Sequence, residues 1–209
     1  AGSSIGAVFA VLLSLGYRGD EIFEIFSDTG LGLFSDLNFG VKNDIAFSKG
    51  QKFYEWIKTY IEQKFYLSSY KKGQMPPVTF KDVEKNLVIY AVDLVKMEFK
   101  EFSKRLTPDF EIAKAVRASV SMPGLFTPLV EEDSFLVDGD LLKASPLWRI
   151  SDTILSTGDR ILEYRLEDTT PKENITNPID YFNRVYNAFC GFSTDYIIDV
   201  YGKKDKFDY

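Results

Sequence analysis

The 209 residues of this chain include no histidine. Without imidazole, a Ser-His-Asp relay cannot form within the chain and zinc cannot be held by histidine. Any proton acceptor must be a carboxylate, a lysine or a terminus. Cysteine is almost as scarce: Cys190 stands alone, so no disulfide closes within the chain, and a reducing compartment fits better than a secreted disulfide scaffold. Long apolar runs are missing as well. The longest, Ile5 to Leu15, is shorter than the roughly 20 residues that cross a bilayer, and no basic segment precedes it, so it reads as neither a span nor a signal peptide. There is also no excess of positive charge. The formal net charge is −6 and the lysines are interleaved with acids, which leaves no footprint for a phosphate backbone and excludes nucleic acid as the expected partner.

What is present is enough for one substantial core. With 45% hydrophobic residues and no composition break, residues 1–209 read as a single domain. The run from Ile5 to about Tyr17 predicts a helix buried on all sides. Arg18 to Asp28 predicts a second helix with Ile22, Phe23, Ile25 and Phe26 on its apolar side. The glycine-rich stretch through Gly30, Gly32 and Gly40 lacks the Gly-Lys-Ser/Thr ending of a phosphate loop and reads as an ordinary loop. Phe53, Trp56, Ile57, Tyr60, Ile61 and Phe65 recur at helical steps between Lys49 and Tyr70, a stripe expected to pack on the core. Pro76-Pro77 breaks the chain, and Thr79 with Asp82 has the spacing of a cap on a short helix.

Asn86 to Leu94 is a continuous apolar, β-branched run of strand length, and Lys96 to Ser103 alternates like a neighbouring strand with one wet face. Glu111 to Ser121 has helical spacing and ends at Met122-Pro123-Gly124. Phe135 to Val137 makes a short strand that stops at Asp138-Gly139. Asp159 to Asp168 and Asp195 to Tyr201 are further strand candidates, with a helix expected through Pro178 to Phe189. Strands alternating with helices favour an α/β architecture with a largely parallel central sheet flanked by helices.

Two places carry chemistry. Gly2-Ser3-Ser4-Ile5-Gly6 is a G-x-S-x-G frame heading the apolar helix. A nucleophile elbow puts a serine on a turn so tight that only small residues fit beside it, and the helix that follows aims its free N–H groups at the hydroxyl. In that reading Gly2 and Gly6 are motif residues, Ser4 is the nucleophile, and the Ile5 N–H stabilises an oxyanion. The simpler reading is that Ser3 or Ser4 caps the helix. With no histidine, a carboxylate must take the serine proton directly. Asp138 is the candidate, because chemistry in open α/β sheets gathers where strands end. Its competing reading is an Asp-Gly turn built around Gly139.

The order of these pieces resembles the patatin-like phospholipase family: the Gly2–Ala7 elbow, Leu87–Leu94, then the stretch from Phe102 to Val130 closing on Phe135–Asp140. The most specific part is Ala115–Val130 followed by Asp138-Gly139. The resemblance, which runs from Gly2 to about Leu147, implies a Ser4–Asp138 dyad without histidine, an oxyanion contact from Ile5, no cofactor and no metal. It also implies hydrolysis of lipid acyl esters through an acyl-enzyme, peripheral contact with a membrane, and a cytoplasmic or membrane-surface location. Two rivals stand beside it. One is a catalytically inactive module of the same family that binds lipid or protein; the other is an acyltransferase or hydrolase whose histidine lies outside these residues.

Three departures from the family pattern shape the expectations. The family's first strand and its glycine-rich oxyanion loop would lie before Ala1, so the domain is expected to be N-terminally incomplete here. Asp140 stands where a small residue is usual, and a second carboxylate is expected to raise the pKa of Asp138. Ser145-Pro146 replaces the usual Asn-Pro.

Overall fold

The computed structural model describes residues 1–29 and 46–142, together with residues 161, 162, 164, 175, 181, 184–186, 188, 207 and 208. The chain forms two compact units, Ala1–Asp140 and Leu141–Tyr209. The first contains β1 (Gly2–Ser3), α1 (Ile5–Ser14), α2 (Gly19–Ser27), α3 (Gln51–Tyr66), β2 (Val88–Asp93), β3 (Glu98–Ser103), α4 (Ile112–Ser119), β4 (Leu129–Glu131) and β5 (Ser134–Val137).

The class is α/β, with helices packed on a central sheet, but the sheet is mixed where a largely parallel one was expected. Among the named strands of this unit only β1 and β2 pair in parallel, Gly2 opposite Ile89 and Ser3 opposite Tyr90; Ser48 and Phe126 add an isolated parallel bridge. β2 runs antiparallel to β3 along its whole length and to β5 at Val92 and Asp93, and β4 and β5 form an antiparallel hairpin. The physical reason is connection length. The four residues between β2 and β3 and the two between β4 and β5 can only turn the chain back, since a parallel crossover needs a dozen or more. A strand, β1, directly precedes Ser4; it is two residues long and held by β2.

β2 is the centre of this sheet. Ile89, Tyr90, Ala91, Val92 and Asp93 are all buried, as its unbroken apolar sequence predicts for a strand covered on both faces. The predicted helices form near their predicted bounds. α1 is not buried on all sides, however: Ala7, Val8, Val11 and Leu12 face the core while Leu13 is exposed. In α2, Ile22 and Ile25 are buried and Phe23 points to solvent, so one aromatic assigned to its apolar side belongs to the other face. The α3 stripe packs on the core except at its end, where Phe65 is exposed. Phe53, Ile57 and Ile61 are buried, and Trp56 lies against Phe53 and Phe26 with ring centres 5.4 and 5.9 Å apart. Thr79 and Asp82 bracket a short 3-10 turn at Phe80–Asp82, which fills the core with Phe80.

In the second unit β6 (Ile161–Leu162) pairs in parallel with β7 (Phe207–Asp208), and β6 falls within the strand expected over 159–168. Tyr181, Arg184–Tyr186 and Ala188 are helical, within the helix expected over 178–189. The loop through Gly30, Gly32 and Gly40, the strand expected over 195–201, and Ser145-Pro146 lie outside the described residues.

The two glycines of the elbow have different reasons to be there. A Cβ on Gly2 would sit 2.2 Å from the Gly6 carbonyl oxygen and 2.7 Å from the Ala7 Cα, so β1 and α1 approach more closely than any side chain allows. A Cβ on Gly6 would meet nothing within 4 Å. Crowding therefore fixes Gly2 and leaves Gly6 free. Gly2→Ala is expected to lose about 2 kcal/mol or more of stability, whereas Gly6→Ala, placed inside a helix, is expected to gain up to about 1 kcal/mol. Paired chemical denaturation curves check both signs.

Candidate active site

Ser4 stands between the end of β1 and the first residue of α1, with φ 50° and ψ −131°. Side chains rarely occupy that conformation, and holding one there costs about 1–3 kcal/mol. The chain must turn this sharply because β1 is fixed in the sheet and α1 leaves at once, with Gly2 permitting the close approach. Ser4 occupies the N-cap position of α1, yet its side chain makes no capping hydrogen bond. Its hydroxyl donates instead to Asp138 Oδ2 at 2.7 Å, across 134 positions of sequence.

Asp138 follows directly on β5, and its side chain is 1% exposed. Its backbone N–H donates to the Ser121 carbonyl at 3.0 Å, which ties the end of β5 to the loop after α4. Both carboxylate oxygens have a donor: Oδ2 accepts from Ser4, and Oδ1 accepts the Asp140 N–H at 2.9 Å. Two such hydrogen bonds restrict the carboxylate to one orientation.

Gly139 is not there for a left-handed turn, because its φ lies outside that region. A Cβ at this position would fall 2.3 Å from Ser3 Oγ and 2.4 Å from the Tyr90 carbonyl oxygen. The Asp-Gly pair is a point of close approach, where the chain after β5 passes against β1 and β2.

The site also alters the ionisation of Asp140. Burial, then the neighbouring Asp138 charge, push its carboxyl up to about 7, with the Ser3 hydroxyl acting in the opposite sense. Desolvation is the chief cause of that rise.

Several supporting residues escaped the sequence reading. Ser119, fully buried at the end of α4, accepts the Ser4 N–H at 2.9 Å and donates its own proton to the Tyr90 carbonyl at 2.6 Å. Arg117 is buried as well. Its guanidinium donates to the carbonyls of Gly50 at 3.0 Å, Lys49 at 2.6 Å and Thr127 at 2.8 Å, bonds the Ser121 hydroxyl, and lies 5.0 Å over the Phe126 ring. Gly50, at φ 70°, has no room for a Cβ, which would fall 2.2 Å from Arg117 Nε. Arg117 thus braces the loop whose Ser121 carbonyl holds Asp138. The available signal was polar residues at 117, 119 and 121, in and just after a helix that is otherwise mostly apolar.

A cavity of about 290 Å³ opens elsewhere, between α2 and α3, lined by Tyr17, Glu21, Glu24, Ile25, Asp28, Tyr60 and Gln63. It includes neither Ser4 nor Asp138. Among the described residues no group of three or more histidine, cysteine, aspartate or glutamate side chains could hold a metal ion.

Comparison with known proteins places these residues in context. A sequence profile described as patatin-like phospholipase matches residues 1–149. An uncharacterized protein of Acanthamoeba polyphaga mimivirus is 32% identical over 161 residues, covering 75% of this chain and 52% of that protein. A probable lipid hydrolase of Invertebrate iridescent virus 6 is 26% identical over 146 residues, 70% of this chain and 50% of that protein. An uncharacterized protein of Bacillus subtilis is 24% identical over 206 residues, 90% of this chain and 68% of its own length. The chain spans about half the length of the two viral relatives. Among solved structures, VipD from Legionella pneumophila aligns with a TM-score of 0.40 at 14% identity, over 96% of this chain and 60% of that one.

The Asp140 environment sets a pH dependence. An acid whose folded pKa is raised from 3.8 to about 7 binds its proton more tightly in the folded state. Its contribution to stability is whole below pH 4 and is lost as the pH climbs through 7, by roughly 2–4 kcal/mol. Asp140→Asn, which keeps the shape of the protonated acid, is expected to flatten that fall and to be more stable than the parent at pH 8. Urea midpoints between pH 5 and pH 8 provide the check.

Proposed function

Because the chain belongs to the patatin-like phospholipase family, we propose that it is a lipid acyl hydrolase working through a Ser4–Asp138 dyad. The observation that carries this reading is the hydrogen bond from the Ser4 hydroxyl to a buried carboxylate, made by a serine in a strained turn in a chain with no histidine. The relative described as a probable lipid hydrolase supports the substrate class.

In the first half-reaction Ser4 Oγ attacks the acyl carbonyl carbon as Asp138 Oδ2 takes the hydroxyl proton. The carbonyl π bond becomes an oxyanion, which on this reading accepts a hydrogen bond from the Ile5 N–H at the start of α1. Collapse of that intermediate breaks the ester C–O bond, and Asp138 returns the proton to the departing alcohol. In the second half-reaction water attacks the acyl-Ser4 ester, giving its proton to Asp138. The fatty acid leaves, and the proton returns to Ser4 Oγ. A carboxylate is a weaker base than imidazole, and a fixed, short contact compensates by removing the search for proton-transfer geometry.

The substrate on this reading is a lipid acyl ester met at a lipid surface. Val95 and Met97 are exposed in the turn after β2, the sheet end toward which β1 also runs into Ser4. That supports peripheral contact. Among the described residues no helix is long and apolar enough to cross a membrane.

The test is release of fatty acid from phospholipid vesicles together with turnover of a short-chain nitrophenyl ester. Ser4→Ala is expected to lose about 10³-fold or more in kcat and Asp138→Asn about 10²-fold or more. Folded variants that both retain wild-type turnover would contradict the dyad.

A further inference from the structure

The Ser4 backbone is in a conformation that a serine does not hold unaided, so something outside the turn must stabilise it. The side chain in contact with its N–H is that of Ser119, 115 positions away. A serine hydroxyl has one proton and two lone pairs. The proton of Ser119 goes to the Tyr90 carbonyl at 2.6 Å, and a lone pair therefore faces the Ser4 N–H at 2.9 Å. One atom thereby links the turn to β2 and to the end of α4.

Tyr90 is the β2 residue opposite Ser3, where β1 stops. The carbonyl that orients Ser119 is also the one that Gly139 approaches so closely that a Cβ would lie 2.4 Å away. Ser119 and the Asp138-Gly139 segment are therefore referenced to the same oxygen. A shift of Ser4 relative to Asp138 would have to stretch the Ser119 bridge or press Gly139 into β2.

We propose that Ser119 is a positioning residue for the nucleophile: its hydroxyl holds the Ser4 backbone in the turn from which Ser4 Oγ reaches Asp138. Ser119 touches no substrate and acts only through Ser4. Its importance for turnover rests on the hydrolase reading above, whereas its hold on the Ser4 backbone does not. Loss of the hydroxyl leaves the Ser4 N–H and the Tyr90 carbonyl without this buried partner, and the turn without its brace.

The experiment compares wild type, Ser119→Ala and Ser119→Cys in two readouts, backbone amide exchange at Ser4 and steady-state hydrolysis of the nitrophenyl ester. In Ser119→Ala, exchange of the Ser4 amide should quicken by about tenfold or more relative to amides in β2, and kcat should fall about 10- to 100-fold with KM within about twofold. Ser119→Cys fills the same space with a weaker acceptor and should fall between the two. If Ser119→Ala does not fold, the ordering of wild type and Ser119→Cys carries the test. A folded variant with wild-type Ser4 exchange and wild-type kcat overturns the proposal, as does a loss that appears in KM alone. A wild-type protein without turnover overturns the hydrolase reading, while faster Ser4 exchange in Ser119→Ala then still upholds the hold of Ser119 on the turn.

Discussion

The hydrogen bond between the Ser4 hydroxyl and Asp138 joins two places that share nothing in sequence and little in local structure. One is a strained turn at the start of a helix; the other is the residue after a four-residue strand. The proposed proton transfer between them would tolerate little drift from hydrogen-bond geometry. The surrounding structure meets that tolerance with steric stops and short hydrogen bonds. Gly2 lets α1 close onto β1, Gly139 lets the chain after β5 close onto β2, and the Tyr90 carbonyl sits between them. A single added methyl group at Gly2 would press β1 from α1, and one at Gly139 would press the chain after β5 from β1 and β2.

This arrangement explains why the central strand is buried along nearly its whole length. β2 pairs with β1, β3 and β5, so it is the common reference for both the turn bearing Ser4 and the strand bearing Asp138. α4 completes the frame from one face. Ser119 reaches the Ser4 backbone, and Arg117 holds the loop whose Ser121 carbonyl accepts the Asp138 N–H. Asp140 adds a different contribution. Its N–H steadies Asp138, while its raised pKa means that near neutrality the pair of neighbouring carboxyls need not carry two full charges.

Much of this was legible in the sequence, for physical reasons that differ by element. The helix starting at Ile5, the buried strand over 88–93 and the helix over 112–119 each bury a face or a whole run, and burial writes a period into the residues. Ser4 and Asp138 were legible because chemistry without histidine leaves few residue types to consider, and because the order of motifs resembles a known family. The direction of the strands was not legible. Short apolar runs look alike whether their neighbours run parallel or antiparallel, and Leu129–Glu131 is too brief to announce a hairpin. Ser119 and Arg117 escaped for a different reason. Ser4, Gly50 and Tyr90, among their partners, lie 29 to 115 positions away, and hydrogen bonds across such distances leave no spacing to read. Phe23 misled because an aromatic on the edge of an apolar arc can turn to either side of a helix.

The claim at the centre of this account is that Ser4 is a nucleophile because Asp138 takes its proton. The most direct measurement is covalent labelling with a fluorophosphonate probe, with the modified residue located by peptide mass spectrometry. The account predicts one adduct, on Ser4, forming in the parent protein and suppressed in a folded Asp138→Asn variant. An adduct on another residue, none at all, or Ser4 labelling at an undiminished rate without the Asp138 carboxylate would contradict it.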